Sequence, residues 1–162
     1  MVYTVHSPAK IVYGNGAFAS LGDHAQKLGT KALIISDPIM EHLGVVSQCA
    51  AYLKIDSVAY TGVTSDPLDV YVDEGVALLC EHQCDVIVSI GGGSCIDTAK
   101  AIAVVATNRG YIGDYMHGAM PITEQPLPHI AIPTTAGTGS EATDVTVITN
   151  TAENIKMMIK DA

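Results

Sequence analysis

The amino-acid sequence predicts a doubly wound α/β fold built on a mostly parallel sheet. Three observations predict it. Short apolar runs rich in β-branched residues recur along the chain, segments with helical spacing of apolar residues separate them, and glycine-rich turns follow directly on two of the runs. Strands joined through helix-length segments pair in parallel by crossovers, which put helices on both faces of the sheet.

The elements follow in order. Lys10–Tyr13 reads as a strand closed by Gly14 and Gly16, and Ala17–Leu28 as a helix that stops at Gly29. Ala32–Ser36 (ALIIS) is a buried strand, after which Asp37-Pro38 turns the chain toward a helix over Val45–Leu53. Asp56–Tyr60 is a third strand. Pro67 opens the next helix at its first turn, with Val70, Ala77, Leu78 and Cys80 as the expected inner face. Asp85–Ile90 (DVIVSI) is the clearest strand, and Ser94–Thr107 is an Ala-rich helix. Ile130–Ile132 and Val145–Ile148 supply two later strands, and His117–Pro128, with four Gly or Pro residues, reads as a surface loop.

A length of 162 residues suits one domain, and residues 1–162 are read as one. Hydrophobic residues make up 48% and charged residues only 15%, against about 25% charged in an ordinary globular domain. The mean hydropathy is +0.31. Two explanations stand side by side: a sheet buried on both faces, or a surface that another body covers. A net charge of −9, with eight scattered Lys and Arg, argues against nucleic acid or an anionic membrane as partner. No apolar run approaches the roughly 18–20 residues of a membrane span. The N-terminus MVYTVHSPAK does not read as a signal peptide, so Cys49, Cys80, Cys84 and Cys95 are expected to be reduced thiols of a cytoplasmic protein. Cys80 and Cys84, one helical turn apart, suit core packing better than a metal.

Chemistry concentrates in the loops after the strands. DVIVSI runs into Gly91-Gly92-Gly93-Ser94 and a helix begins at once. Glycines let a backbone approach a ligand closely, and the free N–H groups of a helix start attract a pyrophosphate. Ser94 is expected to cap that helix, and Asp97 and Lys100 lie near one of its faces; the alternative is a capping-box turn without a ligand. A second loop, Ile132–Glu141 (IPTTAGTGSE), has the same character, with Thr134, Thr135 and Thr138 as hydroxyl donors, or is an ordinary Ser/Thr turn. Asp37, at a strand end, suits a ribose diol and repels a 2′-phosphate, or is a simple Asp-Pro turn. Cys95, at a helix N-terminus, reads first as a small core filler; the alternative is a thiol of lowered pKa whose alkylation would block a cofactor. The six histidines stand far apart, with no metal-ligand spacing and no nucleophile motif. No catalytic or metal-ligating residue is therefore nominated.

The chain resembles the iron-containing (group III) alcohol dehydrogenases over essentially its whole length. The resemblance rests on YGNGAFASLGDHAQKLGTKALIISD (Tyr13–Asp37), GGGSCIDTAKAIA (Gly91–Ala103) and IPTTAGTGSEATDVTVIT (Ile132–Thr149), followed by Lys156-Met157. It implies a Rossmann-like domain that binds NAD, with the family's C-terminal helical metal domain lying downstream of the point matching Ala162. It further implies that Gly92, Gly93 and Ser94 meet the pyrophosphate, that Asp97 lies near the nicotinamide end, and that Thr134, Thr135 and Thr138 line the cleft. Asp37 would meet the adenine ribose and favour NAD. Asp66, Val147 and Lys156 match further cofactor-contacting positions. Iron, or another divalent metal, is expected only with the downstream ligands, and the chain alone is expected to be inactive. A small alcohol or aldehyde is the implied substrate, and homo-oligomers are common in the family. A glycerol dehydrogenase-like enzyme is an alternative that the serine of GGGS disfavours, and a stand-alone nucleotide-binding module is another.

Overall fold

The computed structural model describes residues 10–160; the N-terminal segment read above for a signal peptide, with His6, otherwise lies outside the described residues. Strands β1 (Lys31–Ile35), β2 (Asp56–Tyr60), β3 (Val86–Gly91) and β4 (His129–Pro133) form a parallel sheet in the order β2-β1-β3-β4. The chain winds outward from β1 to β2, then returns across β1 to β3. The order therefore reverses between β1 and β3, and a crevice opens beyond their carboxyl ends.

Alternation along the central strands divides the core in two. Ala32, Ile34, Val86, Val88 and Ile90 pack with Leu21, Ala25, Val46, Cys49 and Leu53 from helices α1 (Leu21–Ala25) and α3 (Val45–Leu53). Leu33, Ile35 and Ile87 face the opposite way, onto Val72 and Leu79 of α4 (Asp69–His82) and Ala99 and Ile102 of α5 (Gly93–Asn108). All six residues of β3 are buried, which accounts for its unbroken apolar run. Burial on both faces thus explains much of the hydropathy. Ile11, Tyr13, Ile39 and Leu43 nevertheless stand exposed.

Several expectations need correction. Lys10–Tyr13 is irregular, and Tyr13 is 91% exposed; no strand among the described residues lies beside it to satisfy its backbone. Ala17–Leu28 is not one helix but a 3-10 turn, Ala17–Ser20, followed by α1 and a further turn. The Ser20 hydroxyl donates to the Ala17 carbonyl there, competing with a regular helical start. A short helix, α2 (Pro38–His42), follows Asp37 where a plain turn was expected.

The inner face of α4 is rotated from the expected one. Asp69, Val72, Gly75 and Leu79 are buried, whereas Val70, Ala77 and Cys80 are exposed and Leu78 is half-buried. The cause is Gly75: a Cβ there would collide with Ile102 Cδ1, so the missing side chain lets this face meet α5. Of the two cysteines one turn apart, Cys84 is buried and Cys80 exposed.

Val145–Ile148 is a strand, but not one of the parallel sheet. It belongs to β5 (Val145–Asn150), which pairs antiparallel with an unanticipated β6 (Ile155–Lys160). The turn forms because Asn150 Oδ1 accepts the Ala152 and Glu153 amides and Asn154 takes a left-handed conformation, φ 54°. This hairpin packs on α5 beside the crevice. No helix among the described residues is long and apolar enough to cross a membrane.

Candidate functional site

The floor of the crevice is the turn from β3 into α5. Gly91 has φ +154°, and a Cβ on it would lie 2.5 Å from Cys95 Sγ, so glycine is required there. The N-cap of α5 is Gly92, with no side chain capping the helix. A sixteen-residue helix therefore presents unsatisfied N–H groups and its positive dipole end to the crevice. Ser94 does not cap, contrary to expectation: its hydroxyl donates to the Ser65 carbonyl at 2.7 Å, drawing the loop after β2 against the helix start. The capping-box reading of Ser94 and Asp97 falls with it.

Asp97 is buried on the second turn of α5. Its Oδ2 accepts the Val147 amide at 3.2 Å, which joins helix and hairpin. Its Oδ1 has no hydrogen-bond partner among the described residues and lies 3.9 Å from Lys100 Nζ. Burial raises the Asp97 pKa, with the Val147 amide, Lys100 and the nearby Ser140 hydroxyl opposing that shift. Lys100 is occupied elsewhere, donating to the Thr143 and Val145 carbonyls at 2.9 Å each, and burial lowers its pKa.

A cavity of about 250 Å³ lies over this floor. Of the positions singled out in the sequence, Asp66, Gly93, Ser94, Asp97, Thr138, Val147 and Lys156 line it. Asp66 and Lys156 approach from opposite walls to 3.7 Å. The Ile132–Glu141 loop closes one side so tightly that a Cβ on Gly93 would lie 3.0 Å from Ser140 Oγ and 3.1 Å from Thr138 Cβ.

The other four positions sit outside that cavity. The Thr134 amide donates to the Gly91 carbonyl at 2.9 Å, and a Cβ on Gly92 would meet Thr135 Oγ1 at 3.4 Å. Asp37 lies across the switch point, where its Oδ1 accepts the Ile39 and Met40 amides and so caps α2. Its Oδ2 faces Cys95 Sγ at 3.7 Å. The site is thus an elongated crevice, running from the hairpin side past the start of α5 to the end of β1.

Cys95 follows the core-filler reading and not that of a reactive thiol. It is 2% exposed, and burial, with Asp37 beside it, pushes its pKa up to about 12. Desolvation outweighs the helix dipole at this position, and Cys95 is a core filler.

Four lining residues escaped the sequence reading: Ser65, Pro67, Ser140 and Thr149. Ser140 stands inside the second glycine-rich loop, so its motif could have indicated it. Thr149 could not be found this way, because it reaches the crevice only through the hairpin register, in which it pairs with Lys156. Its Oγ1 is buried and, like Asp97 Oδ1, has no partner among the described residues. Two unpartnered polar atoms beside an uncapped helix start suit a polar, anionic ligand with hydrogen-bonding groups. The cavity itself falls short of the roughly 300–1,000 Å³ of a pocket that encloses a whole drug-sized molecule. It has room for part of a dinucleotide, the rest extending along the crevice toward Asp37. No group of three or more His, Cys, Asp or Glu among the described residues could hold a metal ion, so this donor set does not fit an iron.

The family model "Iron-containing alcohol dehydrogenase" matches residues 8–162. The NAD-dependent methanol dehydrogenase of Bacillus methanolicus is 40% identical over 158 residues, covering 95% of this chain and 41% of that protein. A solved 1,3-propanediol oxidoreductase superposes with a TM-score of 0.91 at 34% identity, covering 99% of this chain and 43% of that one. The sulfoacetaldehyde reductase of Bifidobacterium kashiwanohense, solved in complex with NAD+, superposes with a TM-score of 0.92 at 28% identity over 99% of this chain and 43% of that one. The chain spans about two-fifths of the length of these relatives.

Proposed function

The chain belongs to the iron-containing alcohol dehydrogenase family, and from that premise we propose that its crevice binds NAD(H), as the N-terminal dinucleotide-binding domain of an alcohol dehydrogenase or aldehyde reductase. The observation that carries this reading is the uncapped start of α5 with two buried, unpartnered polar atoms, Asp97 Oδ1 and Thr149 Oγ1, on the adjoining cavity wall. Gly92, Gly93 and Ser94 then hold the pyrophosphate on main-chain N–H groups. Asp97 offers its free oxygen at the nicotinamide end, and Asp66, Val147 and Lys156 form the wall around the adjoining ribose. Thr134, Thr135 and Thr138 border the crevice. Asp37, with Oδ1 committed to α2 and Oδ2 accepting only the weak thiol hydrogen bond of Cys95, keeps acceptor capacity for the hydroxyls of the adenine ribose.

NAD supplies a hydride acceptor at its nicotinamide ring. This chain's residues bind the cofactor, orient it and shelter part of it from water. Among the described residues no cluster fits a metal, and no step through iron is assigned to them. A small alcohol or aldehyde is the proposed substrate of the whole protein, in the cytoplasm and in a homo-oligomer, with neither nucleic acid nor membrane as partner.

Titration of the chain with NADH, followed by cofactor fluorescence, tests the reading. Saturable binding is expected, and Gly93→Val should abolish it by filling the floor against Thr138 and Ser140. A flat titration with a folded wild-type chain would remove the cofactor assignment.

A further inference from the structure

Two contacts fasten the hairpin to the chain where it enters α4. The Thr149 amide donates to the Pro67 carbonyl at 2.7 Å, beside a parallel bridge between Leu68 and Thr149. Two residues further along each segment, the Thr151 amide lies 3.2 Å from both oxygens of Asp69. Asp69 is 6% exposed, and its carboxylate also accepts the Tyr111 hydroxyl at 2.7 Å and the Val70 amide at 2.9 Å. Every polar contact of this carboxylate comes from a donor, so it is held as an acceptor on all sides.

These contacts lie directly behind the crevice. Ser65, Asp66 and Pro67, just before Asp69, form one wall, and Val147, Thr149 and Lys156 of the hairpin form the other. Thr151, which Asp69 grips, begins the turn, and the preceding paired positions join Thr149 to Lys156. The position of Lys156 opposite Asp66 therefore depends on how firmly the hairpin turn is fixed. The exposed Lys156–Asp66 pair adds little restraint of its own.

We propose that Asp69 is a positioning residue of the crevice: its carboxylate latches the hairpin turn and thereby sets Lys156 at the cofactor's ribose. The effect on cofactor rests on the NAD(H) reading above; the latch itself is independent of it.

The test joins hydrogen exchange on the ligand-free chain to an NADH double-mutant cycle. In Asp69→Asn the charge is lost and the side-chain nitrogen turns toward the Tyr111 oxygen, so the Thr151 and Val70 amides must share the one remaining carbonyl oxygen. The Thr151 amide should then exchange at least about tenfold faster, and NADH binding should weaken about tenfold. Asp69→Asn combined with Lys156→Ala should bind scarcely worse than Lys156→Ala alone, because Asp69 acts through Lys156. Additive losses, or unchanged Thr151 exchange, would overturn the proposal. Should Asp69→Asn not fold, Tyr111→Phe leaves the carboxylate in place and removes one of its donors. A smaller loss, again non-additive with Lys156→Ala, is expected, and an additive one counts against the latch. If the wild-type chain binds no NADH, the cofactor reading fails and the exchange measurement alone decides the latch: faster Thr151 exchange in Asp69→Asn upholds it, and an unchanged rate ends it.

Discussion

Asp37 and Cys95 face one another at the end of the crevice, and their environments assign them different parts. Asp37 is half committed, capping α2 through Oδ1. Glycine at an N-cap costs only about a few tenths of a kcal/mol relative to Asp. Asp37→Gly should therefore leave the fold intact while removing the negative charge that repels a 2′-phosphate. The preference for NADH over NADPH is expected to narrow by about tenfold, ~1.4 kcal/mol, in parallel titrations. An unchanged ratio would detach Asp37 from the adenosine end. Cys95 makes a contrasting prediction. With its pKa raised to about 12 by burial, almost none of it is thiolate at pH 8. Iodoacetamide should label the exposed Cys80 of the native chain and spare Cys95 until the chain is unfolded, as read by peptide mass spectrometry. Rapid native labelling of Cys95 would contradict its burial.

The contact between α4 and α5 shows how one small residue decides the orientation of an element. The apolar residues of α4 lie on several sides of the helix, so their spacing alone does not single out an inner face. Gly75 does, because only a residue without a Cβ lets Ile102 approach at that point. Gly75→Ala forces the two helices apart or Ile102 off its rotamer, at a cost of about 1–3 kcal/mol. A lowered thermal midpoint is expected, with NADH affinity nearly preserved because neither Gly75 nor Ile102 lines the cavity. A loss of binding larger than the loss of stability would show that α4 transmits strain to the Ser65–Pro67 wall. The hairpin depends on tertiary context in the same way. Its strands were half legible, β5 from its β-branched run and β6 not at all, since Ile155–Lys160 mixes exposed and buried positions.

For the molecule as a whole, binding and turnover are expected to separate. The crevice has the main-chain donors and acidic side chains that a dinucleotide uses, while the donor set among the described residues does not fit an iron. The 162-residue chain is accordingly expected to bind NADH yet to show no alcohol oxidation, with added ferrous or zinc ion making no difference in a spectrophotometric assay of NADH formation. Metal-dependent turnover by this chain would refute that separation.

The sequence by itself determined the doubly wound α/β class, the glycine turn after β3 and the family resemblance, because the signals behind them are local: strand period, helix spacing and a short motif need no distant partner. It also marked seven of the positions that line the cavity, all within or beside those motifs or the family pattern. Tertiary structure alone decided that Ser94 reaches Ser65, that Cys95 is buried, that Gly75 lets α4 meet α5, and that Thr149 and Thr151 fasten the hairpin to Pro67 and Asp69. Each of these depends on segments far apart in the chain, whose approach is set by packing and by the need to satisfy buried polar groups. Neither requirement leaves a periodic trace in the sequence.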